Sequence, residues 1–319
     1  AMDNLTHSLT GLMLSRAGLN RFHPRASLIM MLGANDPDLD IVSWFAGPLT
    51  YLQYHRGLTH SLAFLPVMAA VPVLFIALFR RSWTGWAAGY LLSGIAVASH
   101  LLLDWTNTYA IRLLLPFSGE WLHLDWLFVF DIWVWAVLLL AVIGPLLGKL
   151  VSSEIGAKPG SGRALAIFAL TFFTLYGFSR TLLHQRALET LNSRIYQGAA
   201  PSRVAAFPGP INPLRWTGWV ETDRFASRFD LNLAADFDPA AGVTFYKPDP
   251  SPALEAARQT ETFQRFLRFS LYPLWSVTPA AEAEGATLVQ IVDERFGFGV
   301  SAIVDKSNRV LRSWTRMGP

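Results

Sequence analysis

The chain has 319 residues, no cysteine and a formal net charge of +3, with 52% hydrophobic and only 15% charged residues. Its mean hydropathy of +0.33 is too high for an ordinary soluble enzyme of this length. The lack of cysteine excludes disulfides, thiolate metal sites and a cysteine nucleophile, and the small, dispersed charge gives no reason to expect nucleic acid as a partner. The charges are uneven: residues 1–179 hold 19 Lys, Arg, Asp and Glu side chains, and the 140 residues of 180–319 hold 30. An apolar first half is therefore joined to a soluble-looking second half.

In chain order, Leu5–Leu19 and Ala26–Ala34 are apolar pieces too short to span a bilayer. They suit a short-helix hairpin packed on a bundle. Asp3 reads as the N-cap of the first helix, and Ser8, Gly11 and Ser15 as a small-residue stripe for close helix contact. The N-terminus lacks a basic n-region, so no cleavable signal peptide is expected. Asp36 before Pro37 reads as a helix start with Asp36 as cap and Asp40 one turn on, on the same side. Spanning segments are expected at Leu62–Phe79, Thr84–Leu103, Trp126–Leu147 and Ala164–Phe178. Trp83, Trp86, Trp105, Trp121 and Trp126 lie at their ends, as interfacial aromatics do. Arg180–Gln197 reads as a helix continuing outward, and Gly198–Pro213 as a linker. Strand-like runs follow at 214–221, 224–231, 242–246, 274–277, 287–293, 300–304 and 310–314, with one helix at Pro252–Phe269 and a turn at Asp305–Asn308. The fold expected is an α-helical membrane bundle of about four spans plus the N-terminal hairpin, residues 2–180, followed by a soluble α+β domain, residues 181–319.

Orientation follows from the basic residues. Arg21 and Arg25, Arg80 and Arg81, and Lys149, Lys158 and Arg163 fall on one side, which the positive-inside rule makes cytoplasmic. Residues 36–60, 100–125 and everything after 179 then lie on the periplasmic or extracytoplasmic side of a bacterial inner membrane.

Polar clusters interrupt the apolar half, all on that outer side: Asp3 to His7, Asn35 to Asp40, His55 to Ser61, His100 to Asp104, and Asp125 with Asp131. His100 and Asp104 are four apart on a helix and share a face, a spacing that lets imidazole and carboxylate meet one ion. Each histidine alone is more often a hydrogen-bonded core residue than a ligand, and an Asp at a helix start is more often a cap. Four of the seven histidines with several carboxylates on one side weigh against an all-structural reading, because ionisable groups at membrane depth are expensive. His23 and His184 read as ordinary surface residues, and His123 is open.

A donor set of His7, Asp36, Asp40, His55, His60, His100 and Asp104 suits Zn²⁺, with Mn²⁺ as the alternative, and its size favours two ions. Arg56 would hold phosphoryl oxygens, and Asp38 or Asp131 would move protons. The expected activity is phosphoester hydrolysis on a lipid or lipid-linked substrate at the bilayer surface. An amide or ester hydrolase of lipids is the alternative within the same chemistry. A transporter or ion permease is the competing class, disfavoured because the polar residues occupy one side only and no internal repeat is visible. The role of residues 181–319 and the oligomeric state are open, with a solvated lid the plainest reading of that domain.

The blocks Met2-Asp3-Asn4-Leu5-Thr6-His7, Gly33-Ala34-Asn35-Asp36-Pro37-Asp38-Leu39-Asp40, His55-Arg56-Gly57-Leu58-Thr59-His60-Ser61 and His100-Leu101-Leu102-Leu103-Asp104 together resemble the YdjM-like membrane-bound metal-dependent hydrolases of bacterial inner membranes. The resemblance covers about residues 2–180 and implies a metal-dependent hydrolase without naming its substrate. The His-x3-Asp pair is also distantly similar to that of zinc-dependent phospholipase C and P1-type nucleases. Their N-terminal Trp ligand and later His-x3-Glu pair have no counterpart in this chain.

Overall fold

A computed structural model describes residues 3–154, 160–281 and 284–317. Met2 and Lys158, used above in the first motif and in the orientation, lie outside the described residues. The chain divides into two compact units. The first comprises residues 1–40, 56–186 and 207–216, and the second residues 41–55, 187–206 and 217–319.

In the first unit, α1 (Asn4–Arg16) and α2 (Ala26–Gly33) form the short hairpin. Asp3 caps α1, its carboxylate accepting from the Thr6 amide at 2.8 Å and the Thr6 hydroxyl at 2.7 Å. The small-residue stripe sits against α2. A Cβ at Gly11 would lie 2.4 Å from the Met30 carbonyl oxygen, and the Ser15 and Ser27 hydroxyls are 2.9 Å apart. The hairpin is the centre of the unit rather than an appendage. Ile29, Met30 and Ala34 pack with Ile76, Leu92 and Ala96, while Met13 packs with Val134, Leu138, Ala141, Ala166 and Ala169.

These partners lie on four longer helices: α4 (Leu65–Arg80), α5 (Trp86–Thr106), α6 (Ile132–Glu154) and α7 (Arg163–Asn192). Three of them, α5, α6 and α7, are long and apolar enough to cross a membrane. A fourth span counts only if the broken pair Pro48–His60 and Leu65–Arg80 is taken as one. Their outward positions, including Leu91, Leu140 and Leu175, are exposed apolar side chains, as a lipid-facing surface requires.

The structure moves several expected boundaries. The first expected span is a 16-residue helix that starts only at Leu65, after a 3₁₀ turn at Leu58–His60. The third begins at Ile132, because the Asp131 carboxylate accepts from the Trp133 and Val134 amides and sets the helix start there. Trp126 therefore belongs to the irregular segment before it. The fourth span and the helix expected after it are a single helix of 30 residues.

The second unit contains α3 (Pro48–Tyr54), α8 (Pro252–Arg258), α9 (Glu261–Leu267) and most of two antiparallel four-stranded sheets in simple sequential order. One runs β1 (Arg203–Pro208), β2 (Arg215–Glu221), β3 (Phe225–Asn232) and β4 (Val243–Tyr246). The other runs β5 (Pro273–Pro279), β6 (Thr287–Asp293), β7 (Gly299–Val304) and β8 (Val310–Arg316). The expected linker 198–213 holds β1, disguised by alanines of low β-propensity that are nevertheless buried. The helix expected at Pro252–Phe269 is two helices, because Thr260 ends one and caps the next by accepting from the Phe263 amide. The turn at Asp305 is present, its carboxylate accepting from the Ser307 and Arg309 amides.

Gly11→Ala should cost about 1–3 kcal/mol, since the added methyl has a backbone atom in its place. Gly148→Ala, where the space is open, should be neutral. Thermal melting of the two variants in detergent checks the difference.

Candidate metal centre

Four side chains from three segments converge in the first unit: Asp38, His60, His100 and Asp104, all buried. The segments are the 3₁₀ helix Asp36–Ala46, the 3₁₀ turn at Leu58–His60, and the C-terminal end of α5. Helical spacing puts His100 and Asp104 on one face of α5, with His100 Nε2 and Asp104 Oδ2 3.5 Å apart. His60 Nε2 lies 3.1 Å from His100 Nε2 and 3.4 Å from Asp104 Oδ2. Asp38 Oδ1 lies 3.5 Å from His60 Nε2 and 3.8 Å from His100 Nε2.

These separations match a tetrahedral ion. Ligand atoms about 2.0–2.1 Å from Zn²⁺ stand about 3.3 Å from one another. Among the described residues neither oxygen of the buried Asp38 carboxylate has a hydrogen-bond partner closer than the 3.5 Å to His60, although burying an unsatisfied carboxylate is costly. The histidines are oriented from behind. The Ala34 carbonyl lies 2.7 Å from His100 Nδ1, which makes that nitrogen the donor and leaves Nε2 its lone pair. His60 Nδ1 faces Asp40 Oδ2 at 3.4 Å and the Thr59 hydroxyl at 3.1 Å. The donor set of two imidazoles and two carboxylates thus fits one such ion.

Asp104 is the hub. Its Oδ1 takes the Arg56 Nη2 at 2.6 Å, His7 Nε2 at 3.3 Å and the Asn107 side-chain amide at 3.3 Å, which leaves Oδ2 turned toward His60 and His100. His7 also stacks on His100, with ring centroids 3.8 Å apart. Arg56 is fully buried: Nη1 donates to Asn107 Oδ1 at 3.0 Å, and the guanidinium lies over the Tyr109 ring at 4.7 Å. Its backbone holds a left-handed φ of 57°, a strained conformation for arginine. That conformation is fixed by its N–H donating to Asp40 Oδ2 at 2.9 Å and its carbonyl accepting from Arg112 at 3.1 Å.

The three aspartates of the Asn35–Asp40 block take different places from those expected. In an α-helix Asp36 and Asp40 would be about 40° apart, but in the 3₁₀ helix observed, with about three residues per turn, they are about 120° apart. Asp38, expected as a spare proton carrier, is in the converging group. Asp40, expected as a ligand, accepts from the Arg56 amide and the Thr59 hydroxyl behind His60, and it also offers a carboxylate oxygen within 4.8 Å of one of Asp38, close enough for the two to share an ion. Asp36, also expected as a ligand, is buried but outside the group, and burial pushes its carboxyl up to about 7.

Asp131, expected to move protons, is the α6 cap and accepts from the Tyr176 hydroxyl at 3.0 Å. His55 belongs to the second unit, where it stacks on Tyr51 at 4.5 Å. His123 is 2.8 Å from Asp125 through Nδ1. His23 is buried rather than superficial, its Nδ1 accepting from the Arg25 amide at 3.0 Å. Asn107, Tyr109 and the Ala34 carbonyl were not singled out in the sequence. The only signal for Asn107 is its position three residues beyond Asp104, where α5 ends.

His100→Ala and Asp38→Ala should lower metal affinity by more than the 10–100-fold typical of residues that only support a ligand. Asp131→Ala should retain the metal and lose about 0.5–2 kcal/mol of stability as a missing cap. Elemental analysis of protein purified without chelator, alongside melting curves, separates the two classes.

Residues 2–186 match the family described as YdjM inner membrane protein. The uncharacterized protein YfhP of Bacillus subtilis (strain 168) is 28% identical over 295 residues, covering 86% of this chain and 82% of that protein. No solved structure matches the chain. With apolar spanning helices and a buried His/Asp group carried inside the matched region, the chain belongs to the YdjM inner membrane protein family.

Proposed function

We propose that the protein is an integral membrane metal-dependent hydrolase acting on a phosphoester of a phospholipid or lipid-linked substrate. The observation that carries this reading is the convergence of Asp38, His60, His100 and Asp104 at tetrahedral ligand spacing, with His100 held in the metal-binding tautomer by Ala34. A bound Zn²⁺ or Mn²⁺ supplies Lewis acidity and lowers the pKa of a water to near neutrality. Two ions are the larger form of the proposal, and the four-residue group accounts for one. The chain's own contribution is to hold the donors. Arg56 and His7 fix Oδ1 of Asp104, Asp40 backs His60, and the apolar helices around them exclude bulk water. The lipid class is supported by the membrane setting of the family, and the phosphoester by a hard N/O donor set with a guanidinium beside it.

One observation favours a second reading, an ester or amide of a lipid. Arg56 is fully buried and already engaged by Asp104 and Asn107, so it is not free as a phosphate fork. Hydrolysis of a lipid panel by purified protein, with and without EDTA, tests the activity. Chelator-sensitive release from a phospholipid supports the first reading, and release from an ester or amide alone supports the second. No turnover of any substrate by metal-loaded protein removes the hydrolase.

Arg56→Lys distinguishes the two roles of that residue. A phosphate fork predicts retained metal with lost turnover, because an ammonium cannot replace the paired N–H groups. A partner of Asp104 predicts a 10–100-fold fall in metal affinity.

The proposed orientation places the second unit on the extracytoplasmic side. In intact spheroplasts, Ser307→Cys should react with a membrane-impermeant thiol reagent and Ser82→Cys should not. The reverse pattern inverts the protein.

A further inference from the structure

The turn between α4 and α5 is built against the tip of the N-terminal hairpin. Arg81 ends α4 in the left-handed region at φ 48°, and Gly85 turns the chain back at φ 74°. A Cβ at Gly85 would lie 2.9 Å from His23 Cδ2, so glycine is what lets the turn close on that imidazole. The turn, the start of α2 and the end of α4 enclose a small cleft of about 20 Å³. Its inner wall is apolar and buried, with Ile29, Val73 and Ile76. Its outer wall carries His23, Arg25 and Ser82, flanked by Trp83 and Trp86, which are 55% and 58% exposed. A space that holds about one water seats one group of a longer ligand, not a whole ligand.

Three features say what that ligand is. The first is charge. The α1–α2 connection carries Arg21 and Arg25, α1 ends on Arg16 and α4 on Arg80 and Arg81, while residues 4–35 and 61–103 contain no Asp or Glu at all. A topogenic role accounts for basic loops, but not for their meeting at one cleft. The second is the donor set. His23 Nδ1 accepts from the Arg25 amide at 3.0 Å, so the ring proton is on Nε2 and the imidazole is a donor beside the Arg25 guanidinium. The third is depth. Trp86 starts α5, a helix long and apolar enough to cross a membrane, so the cleft lies at a bilayer boundary, where tryptophan is favoured. Asp104 is 18 residues along the same helix, about 27 Å away at the α-helical rise, so the cleft is separate from the metal centre.

We propose that this cleft binds the headgroup of an anionic phospholipid. Phosphate oxygens accept from Arg25 and from the His23 Nε2–H. The acyl chains follow the exposed apolar side chains of α4, including Leu74 and Leu78, and Trp83 and Trp86 lie at the level of the ester groups. The unopposed arginines select an acidic lipid over a zwitterionic one, as basic pockets between spanning helices do. The site is independent of the hydrolase reading.

The test is native mass spectrometry of the delipidated full chain, with EDTA present so that the metal centre is stripped. Phosphatidylglycerol and phosphatidylcholine of identical acyl chains are the probes. The first phosphatidylglycerol should bind at least about tenfold more tightly than phosphatidylcholine. Arg25→Gln and Ser82→Glu should each weaken it about fivefold or more, the effect of one charge at a lipid headgroup. Lys149→Gln makes the same change in net charge outside the cleft and should alter binding less than about twofold. The proposal is overturned if the two lipids bind alike, or if Lys149→Gln weakens phosphatidylglycerol as much as the cleft variants do. Displacement of the lipid by inorganic phosphate overturns it too, because the site then reads a free anion. Should Arg25→Gln lower the melting temperature, Ser82→Glu decides alone, because that side chain is exposed.

Discussion

The first unit is organised around one carboxylate that has no business being buried. Asp104 is fully inaccessible on a helix apolar enough to span a membrane, where an isolated charge would be driven to neutralise. It stays because Arg56 lies 2.6 Å from Oδ1 and because His7, His60 and His100 surround it. Those partners come from three segments: His7 from α1, Arg56 and His60 from the stretch before α4, and His100 from α5 itself. Satisfying a single charge therefore ties α1, the turn before α4 and α5 to one another, and breaking it would leave several polar groups stranded together.

The hairpin of α1 and α2 serves the same constraint from the other direction. Small residues let α1 approach α2 closely, and that approach delivers His7 to the ring of His100 and the Ala34 carbonyl to its Nδ1. Close packing and ligand orientation are thus one geometric requirement. A larger side chain at position 11 would displace the same backbone that, one turn on at Ala34, fixes the histidine tautomer.

What could be read in the sequence, and what could not, divides along periodicity. His100 and Asp104 were legible because an uninterrupted apolar run fixes a 3.6-residue period, and four residues then share a face. The spans, the extended helix after the last of them and seven of the eight strands follow from the same kind of pattern. The Asn35–Asp40 block misleads because a proline after an aspartate signals a helix start without saying which helix. The tighter 3₁₀ winding brings Asp38 into the four-residue group beside His60, His100 and Asp104. Arg56 was marked as chemically important, but its left-handed backbone and its bond to Asp104 depend on residues some 50 positions away. Strand β1 was hidden because alanine advertises no sheet, and only its burial reveals it.

The interrupted segment ahead of α4 has a consequence for how the protein is made. At 16 residues α4 is about 24 Å long, short of the roughly 30 Å of a hydrocarbon core, and the backbone before it is not regular helix. The polar groups of that backbone find partners much later in the chain: the Leu62 amide donates to the Leu113 carbonyl, and the Arg56 carbonyl accepts from the Arg112 amide. Until the ribosome has produced residue 113, those groups have only water to satisfy them. The segment therefore cannot settle at its final depth as it emerges. It waits at the aqueous boundary until α5 has been threaded and the irregular segment through residue 113 has returned, so insertion of this region is a concerted event completed from its C-terminal side.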